Sequence, residues 1–506
     1  LSGGAAAVAV AAAVGPTVAA SGATPFTAGT GAGPDWGRLR ARLGGDLVLP
    51  SETGYAQAKQ VHFSMYDSID PAAVAYCESV ADVRTCLSFA QCNGVHAVPR
   101  SGGHSFGGFS TTTGLVIDVS RLNGVSVGPR TTTLGPGAQT VDVIDKLAPY
   151  GLGLAAGLHG SVAAGGFVHG GGIGWQTRSF GVASDALVSA QVVLADGRVV
   201  TASETSEPDL FWALRGGGGG NFGIVTRYER RPVPVGRLVN FRLAWNWVDV
   251  ERVIEGWQQW APTTPWALGS RWLVAQLDSG PGGAAPAVTV DGAFHGSAAD
   301  LAPLLDALVG AVGRPVLSRT AQDFSFRDGM LDWFGCTGKT VPQCHTVGYT
   351  PEAVLPRNSF IVDRSRLFRQ ALPVAGIGAL LAAFEADPQP GQLRFVQALG
   401  LGGKANTTAR TATAYVHRDA EFTLNWTIGT VNPTPTGPEQ VAARGWIAGG
   451  FGAIDPYSLH ETYQNYIDPE LPDWRSSYYA ENYSRLASIK HGYDPHGFFR
   501  FAQGIT

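Results

Sequence analysis

Residues 100–105, Arg100-Ser101-Gly102-Gly103-His104-Ser105, follow directly on the strand-like run His96-Ala97-Val98-Pro99. Two glycines beside a serine and an arginine let backbone N–H groups turn toward an anion, because no Cβ blocks the approach. Placed at the end of a strand, such a turn has the context of a diphosphate cradle. A second cluster, Gly165-Gly166 with Gly170-Gly171-Gly172, and a third, Gly216 to Gly220 followed by Asn221-Phe222-Gly223-Ile224-Val225, repeat the arrangement. Any single cluster also reads as a tight turn, whereas three separated cradles imply one long ligand. No G-x-G-x-x-G opens a helix with an acidic residue about twenty positions on, which excludes a Rossmann dinucleotide site.

The clusters stand out against the composition. Glycine accounts for 68 of 506 residues, roughly 13% against an average near 7%. A chain of this length predicts two or three packed units. A formal net charge of -4 without a basic stripe excludes nucleic acid and a polybasic membrane contact. The opening LSGGAAAVAVAAAVGPTVAASGA reads as a clipped export signal, with an Ala/Gly-rich disordered tail as the alternative; either way residues 1–34 stand outside the fold. No other apolar run is long enough to span a bilayer, so a soluble, secreted monomer is expected. Five cysteines include no paired CxxC, so no metal site is expected. Cys336 and Cys344 bracket a short polar turn whose closure by a disulfide suits an exported protein. Cys86 and Cys92 sit in a helical stretch about 600° of rotation apart and are expected as core thiols, while Cys77 pairs elsewhere or stays free.

From Asp70 to about Arg231, short β-rich runs alternate with helical stretches and glycine turns, an α+β pattern. Residues 82–93, DVRTCLSFAQCN, predict one amphipathic helix capped by Asp82 and ended by Gly94. Beyond Pro232 and Pro234 the composition changes: Trp245, Trp247, Trp257, Trp260, Trp266 and Trp272 arrive close together. A domain boundary belongs there, and residues 238–455 read as an antiparallel sheet backed by helices. The tryptophans are either core or a stacking surface for flat or sugar-like ligands.

Four ordered motifs, RSGGHSFGGFS, GLHGSVAAGGFVHGGGIG, DLFWALRGGGGGNFGIVT and YYAENYSRLASIKHGYDPHGFFRFAQGI, resemble the berberine-bridge-enzyme-like branch of the FAD-linked oxidases from about residue 45 to the end. The resemblance implies a two-part FAD-binding domain of the PCMH type at 35–231 and 458–506, with an inserted substrate domain at 232–457. It also implies covalent attachment of the flavin 8α-methyl to His104. Arg100, Ser101, Gly102, Gly103 and Ser105 would line the first cradle, and Gly160, Ser161, Gly165, Gly166, Gly171 and Gly172 the second. Gly223, Ile224 and Val225 would line the third. Many relatives add a second tether from a cysteine, and His159 stands at that position, so a single tether is expected, with a less raised flavin potential. Phe167 replaces a frequent histidine, and small Ala163 and Ala164 would leave room for dioxygen.

In the family's Y-x-G-x-N motif a tyrosine faces flavin N5. It falls on Tyr478, with Tyr479 the neighbouring alternative and Asn482 four residues on. A free phenol has a pKa near 10, so it needs a charge or hydrogen-bond partner to accept a proton at neutral pH. On the strand Phe422 to Ile428, alternation puts Thr423, Asn425 and Thr427 on one face. Asn425 can orient a substrate but cannot act as a base, and Tyr463 and Tyr466 are weaker pocket candidates. The resemblance implies hydride transfer from a substrate carbinol to FAD, with dioxygen as acceptor, on a carbohydrate or a hydroxylated secondary metabolite. Its rivals are oxidative ring closure or C–C bond formation, a dehydrogenase with another acceptor, and an inactive flavin-binding protein.

Overall fold

The computed structural model describes residues 33–506 apart from 281, so the export-signal reading lies almost wholly outside the described residues. Three short apolar runs, Ala73–Tyr76, Ala97–Arg100 and Leu115–Asp118, pair in parallel, with Leu115–Asp118 in the middle. Leu47–Val48 closes the far edge antiparallel, giving a four-stranded sheet. The central strand is buried throughout, as expected of a parallel sheet covered on both faces. The covering helix spans Val80–Cys92 rather than 82–93, and its cap is Ser79, whose side chain accepts from the Asp82 N–H. Asp82 instead accepts from the backbone of Gly44 and Glu78, stitching the helix start to its surroundings. Cys86 is buried on this helix with its Sγ 3.9 Å from that of Cys77. Cys92 is exposed, correcting its expected core position: in the last turn it points away from the sheet.

A five-stranded antiparallel sheet follows, running from Val125–Val127 through Thr132–Leu134, Ile224–Arg230 and Leu187–Val193 to Val199–Ser203. The third glycine cluster leads straight into its central strand. The third sheet has seven antiparallel strands, all between Arg237 and Thr430. Helices Val250–Trp260, Ala298–Val312, Val374–Glu385 and Gly437–Ile454 pack on it. The architecture is α+β. Trp245, Trp257, Trp260 and Trp272 belong to the core between this sheet and its helices, Trp247 packs against it partly buried, and Trp266 is exposed. The Cys336–Cys344 disulfide is present.

The C-terminal segment returns to the glycine-rich half. Tyr478, Tyr479, Leu486, Ile489 and Ile505 share a core with Leu134, Val168 and Tyr228. Buried Lys490 donates to the carbonyls of Asn221 (2.7 Å) and Phe499 (2.6 Å), and the Ile505 N–H donates to the Asn221 side chain at 2.9 Å. Ala480, which stands where the resembled motif has glycine, joins two helices of this segment at φ 41°, ψ -125°. An L side chain in such a backbone costs on the order of 1–3 kcal/mol, more than the ~0.5–1 kcal/mol a glycine loses through its freer unfolded chain. Ala480→Gly should therefore raise stability by about 1 kcal/mol. Urea midpoints of the flavin-loaded protein measure it, and a lowered midpoint would refute the strain.

Candidate functional site

A cavity of about 540 Å³ runs between the glycine-rich half and the seven-stranded sheet. Gly102 lies in its wall so close to the neighbouring segment that a Cβ would sit 2.9 Å from Ala163, while a Cβ on Gly166 would meet nothing within 4 Å and project into open space. Gly103 adopts φ 68°, which a glycine tolerates without strain. The N–H groups of Gly102, Gly103 and His104 have no acceptor among the described residues. Bare N–H groups on a turn at the end of a strand make a nest for an anion.

Among the residues expected at the site, Ser101, Gly102, Gly103, His104, Ser105, His159, Gly165, Gly166, Gly223, Ile224, Val225, Asn425 and Tyr478 line this cavity. Several others have different work. Arg100 also lines the cavity, but its guanidinium pairs with Asp118 and donates to the Ala58 carbonyl at 2.7 Å, so the side chain is unavailable to a diphosphate. Gly160 packs against Phe334, Gly171 against Tyr415, and Gly172 against Ala183 and Phe167. These three glycines serve close packing. Asn482 donates to the carbonyls of Arg410 (2.9 Å) and Thr413 (3.2 Å), fixing a loop away from the cavity. Ser161 reaches the site indirectly, through His104. Ala163 and Phe167 line the cavity, and Ala164 starts a helix behind it.

At the cradle end, His104 Nε2 lies 3.0 Å from Ser161 Oγ, and its ring stacks on that of His62 at 3.8 Å. Ser161 also acts on the His104 ring through its backbone. Desolvation, reinforced by the neighbouring imidazoles, holds His104 well below the ordinary histidine range, leaving the ring neutral. Buried His62, held by Asn358 at 3.1 Å, is pushed down to about 3 by the same cause. His169, lowered to about 4 by desolvation, meets the Tyr228 hydroxyl at 2.9 Å. Its carbonyl accepts from Gly216 (2.9 Å) and Gly218 (3.0 Å), so it carries the third glycine cluster.

At the other end the seven-stranded sheet supplies Arg271, Asp363, Gln397, Asn425 and Thr427. Asp363, which sequence reading missed, accepts from Asn425 Nδ2 at 3.0 Å and Thr427 Oγ1 at 2.6 Å. Burial raises its carboxyl to about 6, with those two donors pulling the other way. It is the only carboxylate lining the cavity among the described residues. The available signal was a lone acid in the apolar-edged strand run Ile361-Val362-Asp363, paired in register with Thr427. Tyr478 lines the cavity, but its hydroxyl accepts from the Asp468 N–H at 2.9 Å and lies 3.2 Å from Gln503 Oε1. Burial also raises it far above a phenol's ordinary range. Tyr466, set against Tyr463 and Phe106, presents a hydroxyl with no hydrogen bond among the described residues.

Residues 71–203 match the family model described as an FAD binding domain, and residues 462–506 match that of berberine and berberine-like proteins. A protein of Bacillus subtilis (strain 168), described as the uncharacterized FAD-linked oxidoreductase YgaK, is 31% identical over 92% of this chain and 98% of its own length. The chain belongs to the berberine-bridge-enzyme-like FAD-linked oxidases. The Physcomitrella patens BBE-like 1 structure superimposes with a TM-score of 0.83 at 23% identity, covering 93% of this chain and 98% of that one. Glucooligosaccharide oxidase from Acremonium strictum, whose structure is titled for its 6-S-cysteinyl, 8α-N1-histidyl FAD, gives 0.80 at 25% identity over 92% and 98%. The chain is thus an FAD-linked oxidoreductase, and the bare N–H cradle and glycine wall fit that cofactor. No cluster that could hold a metal, and no helix long and apolar enough to cross a membrane, occurs among the described residues.

Two of the lowered histidines, His62 and His169, set a pH dependence. Both fold with pKa values below the unfolded 6.5, so their contribution is fully present above pH 6.5 and is lost as pH falls through about 4 and then about 3. Each ring should contribute a slope of up to about 1.4 kcal/mol per pH unit in that window. Urea midpoints compared at pH 7 and pH 5 should fall with acid, and His62→Phe should remove one ring's share of the fall. An unchanged slope in the variant would show that His62 is not buried neutral.

Proposed function

We propose that this oxidoreductase is a secreted oxidase that takes a hydride from a substrate carbinol, with FAD tethered once, through His104, and dioxygen as the acceptor. The observation that carries the reading is a single cavity with an unprotonated imidazole beside an N–H cradle at one end and a phenol and a carboxylate at the other. Bound there, FAD supplies the two-electron acceptor. His104 turns Nδ1 to the work of attachment, since Ser161 Oγ lies against Nε2 at 3.0 Å. With His159 at the second-tether position, no sulfur is present there to make a second bond. The disulfide Cys336–Cys344 supports an oxidising compartment.

The proton chemistry belongs to the sheet end. A base works best with a pKa near the working pH, which about 6 satisfies and the raised Tyr478 does not. The free Tyr466 hydroxyl receives the substrate hydroxyl, and Asp363 holds the proton that leaves it, steadied by Asn425 and Thr427. Asn425 is therefore a support for the carboxylate as well as an orienting group. Arg271, pinned to Asp291 at 2.7 Å and Gln397 at 2.8 Å, adds hydrogen-bonding capacity, while Phe106 and Ile173 offer apolar area. A wall polar on one side and apolar on the other suits a sugar ring or a hydroxylated secondary metabolite.

Asp363→Asn and Tyr466→Phe should each slow flavin reduction in stopped flow by about a hundredfold or more, with flavin content intact. The wild-type rate should fall as pH drops below about 6, where Asp363 becomes protonated. Tyr478→Phe should leave the rate nearly unchanged; a large loss there, with none in Asp363→Asn, would return the base to Tyr478. His104→Ala should release all flavin into the acid supernatant, and retention of colour in the precipitate would remove His104 as the tether.

A further inference from the structure

His104 is not isolated. Its Nε2 lies 3.0 Å from Ser161 Oγ, and the same oxygen lies 3.5 Å from Nδ1 of His159. His159 lines the cavity with its ring centroid 5.6 Å from that of His104, and desolvation holds its imidazole below the ordinary histidine range, so the ring is neutral. For Nδ1 of His104 to carry a lone pair in a neutral ring, the proton must sit on Nε2, where Ser161 Oγ stands 3.0 Å away as an acceptor. The serine hydroxyl is then free to donate onward, and the nearest acceptor is Nδ1 of His159.

From this arrangement we infer that His159 is the proton acceptor for covalent attachment of the flavin at His104, reached through Ser161. The inference rests on the His104 tether proposed above. Attachment forms a bond between His104 Nδ1 and the 8α carbon and breaks one C–H bond of the 8α-methyl group. The imidazole gives up its Nε2 proton, and two electrons pass into the flavin. Dioxygen removes those electrons together with two protons as hydrogen peroxide, so methyl hydrogen, imidazole hydrogen and electrons all balance. As Nδ1 bonds to carbon, the ring becomes cationic, and the Nε2 proton moves to Ser161 Oγ while the serine proton moves to His159 Nδ1. Because His159 is itself solvent-exposed, it can pass the proton on to water. The residue standing in place of the second-tether cysteine thus assists the first tether.

The test follows the covalent fraction of flavin with time, by acid precipitation and by the mass of the tryptic peptide carrying His104, in aerobically incubated full-length protein. Wild type should retain its flavin in the precipitate. His159→Ala, His159→Phe and Ser161→Ala should bind one FAD per chain yet convert it to the covalent form about a hundredfold more slowly, the scale of a lost general base. Added imidazole should speed His159→Ala and leave Ser161→Ala slow, because only the former keeps the serine that relays the proton. A wild-type rate in His159→Phe would show that ring bulk suffices, and a His159→Ala protein as fast as wild type would also overturn the relay. A slow His159→Ala that imidazole does not speed would overturn it too. Wild type with wholly releasable flavin would instead overturn the tether itself.

Discussion

The Arg100–Asp118 ion pair holds the site in place. Both residues end parallel strands, both side chains are buried, and the guanidinium also reaches the Ala58 carbonyl. A buried pair of this kind adds little net stability, but losing one partner strands the other charge at a cost of about 3–5 kcal/mol. That penalty fixes where the strand stops and the turn begins. The N–H groups of Gly102, Gly103 and His104 can face a cofactor because the residue before them is anchored by its own side chain. The arginine that looks like a phosphate ligand in the sequence is therefore the post on which the turn with its bare N–H groups hangs.

The rest of the cradle is built by close approach. Gly165 abuts Ser101, so that a Cβ there would lie 2.7 Å from the serine oxygen, and Gly216, at φ 123°, would collide with the Tyr415 backbone. The C-terminal segment locks these loops from outside. Tyr463 accepts from the Gly172 N–H at 2.9 Å, Asn465 donates to the Phe167 carbonyl at 3.1 Å, and Lys490 grips Asn221. Two stretches almost three hundred residues apart in sequence thus form one wall, with the seven-stranded sheet between them in the chain and across the cavity from them in space.

Backbone features were legible in the sequence because their cause is local. A glycine cluster after a strand, the alternation that puts Asn425 and Thr427 on one face, and the short polar loop between Cys336 and Cys344 all declare themselves within a few residues. Long-range partnerships hid the rest. Gly160, Gly171 and Gly172 look like Gly165 and Gly166 in sequence, yet face Phe334, Tyr415 and Ala183, residues that no local pattern connects to them. Ser79 outcompetes Asp82 as a helix cap because Asp82 is drawn to Gly44 and Glu78. Asp363 escaped notice because its role comes from the adjacent strand, whose asparagine and threonine turn a buried acid into a tuned one. Tyr478 and Tyr466 could not be ranked until the partners of Tyr478, at Asp468 and Gln503, were visible.

The two ends of the cavity answer to different constraints. The cradle end uses main-chain N–H groups and absent side chains, so nearly any substitution there brings a clash or fills the ligand's space. The sheet end uses side chains projecting from regular strands, where Arg271, Gln397, Asn425 and Thr427 can change without disturbing the ladder that carries them. The cradle end is consequently tied to the fold, while the lining of the other end is set by a few positions on one sheet face. The tether region falls between these regimes. His104 sits on the rigid turn, but its neighbours Ser161 and His159 lie on the adjoining loop, outside the cradle itself.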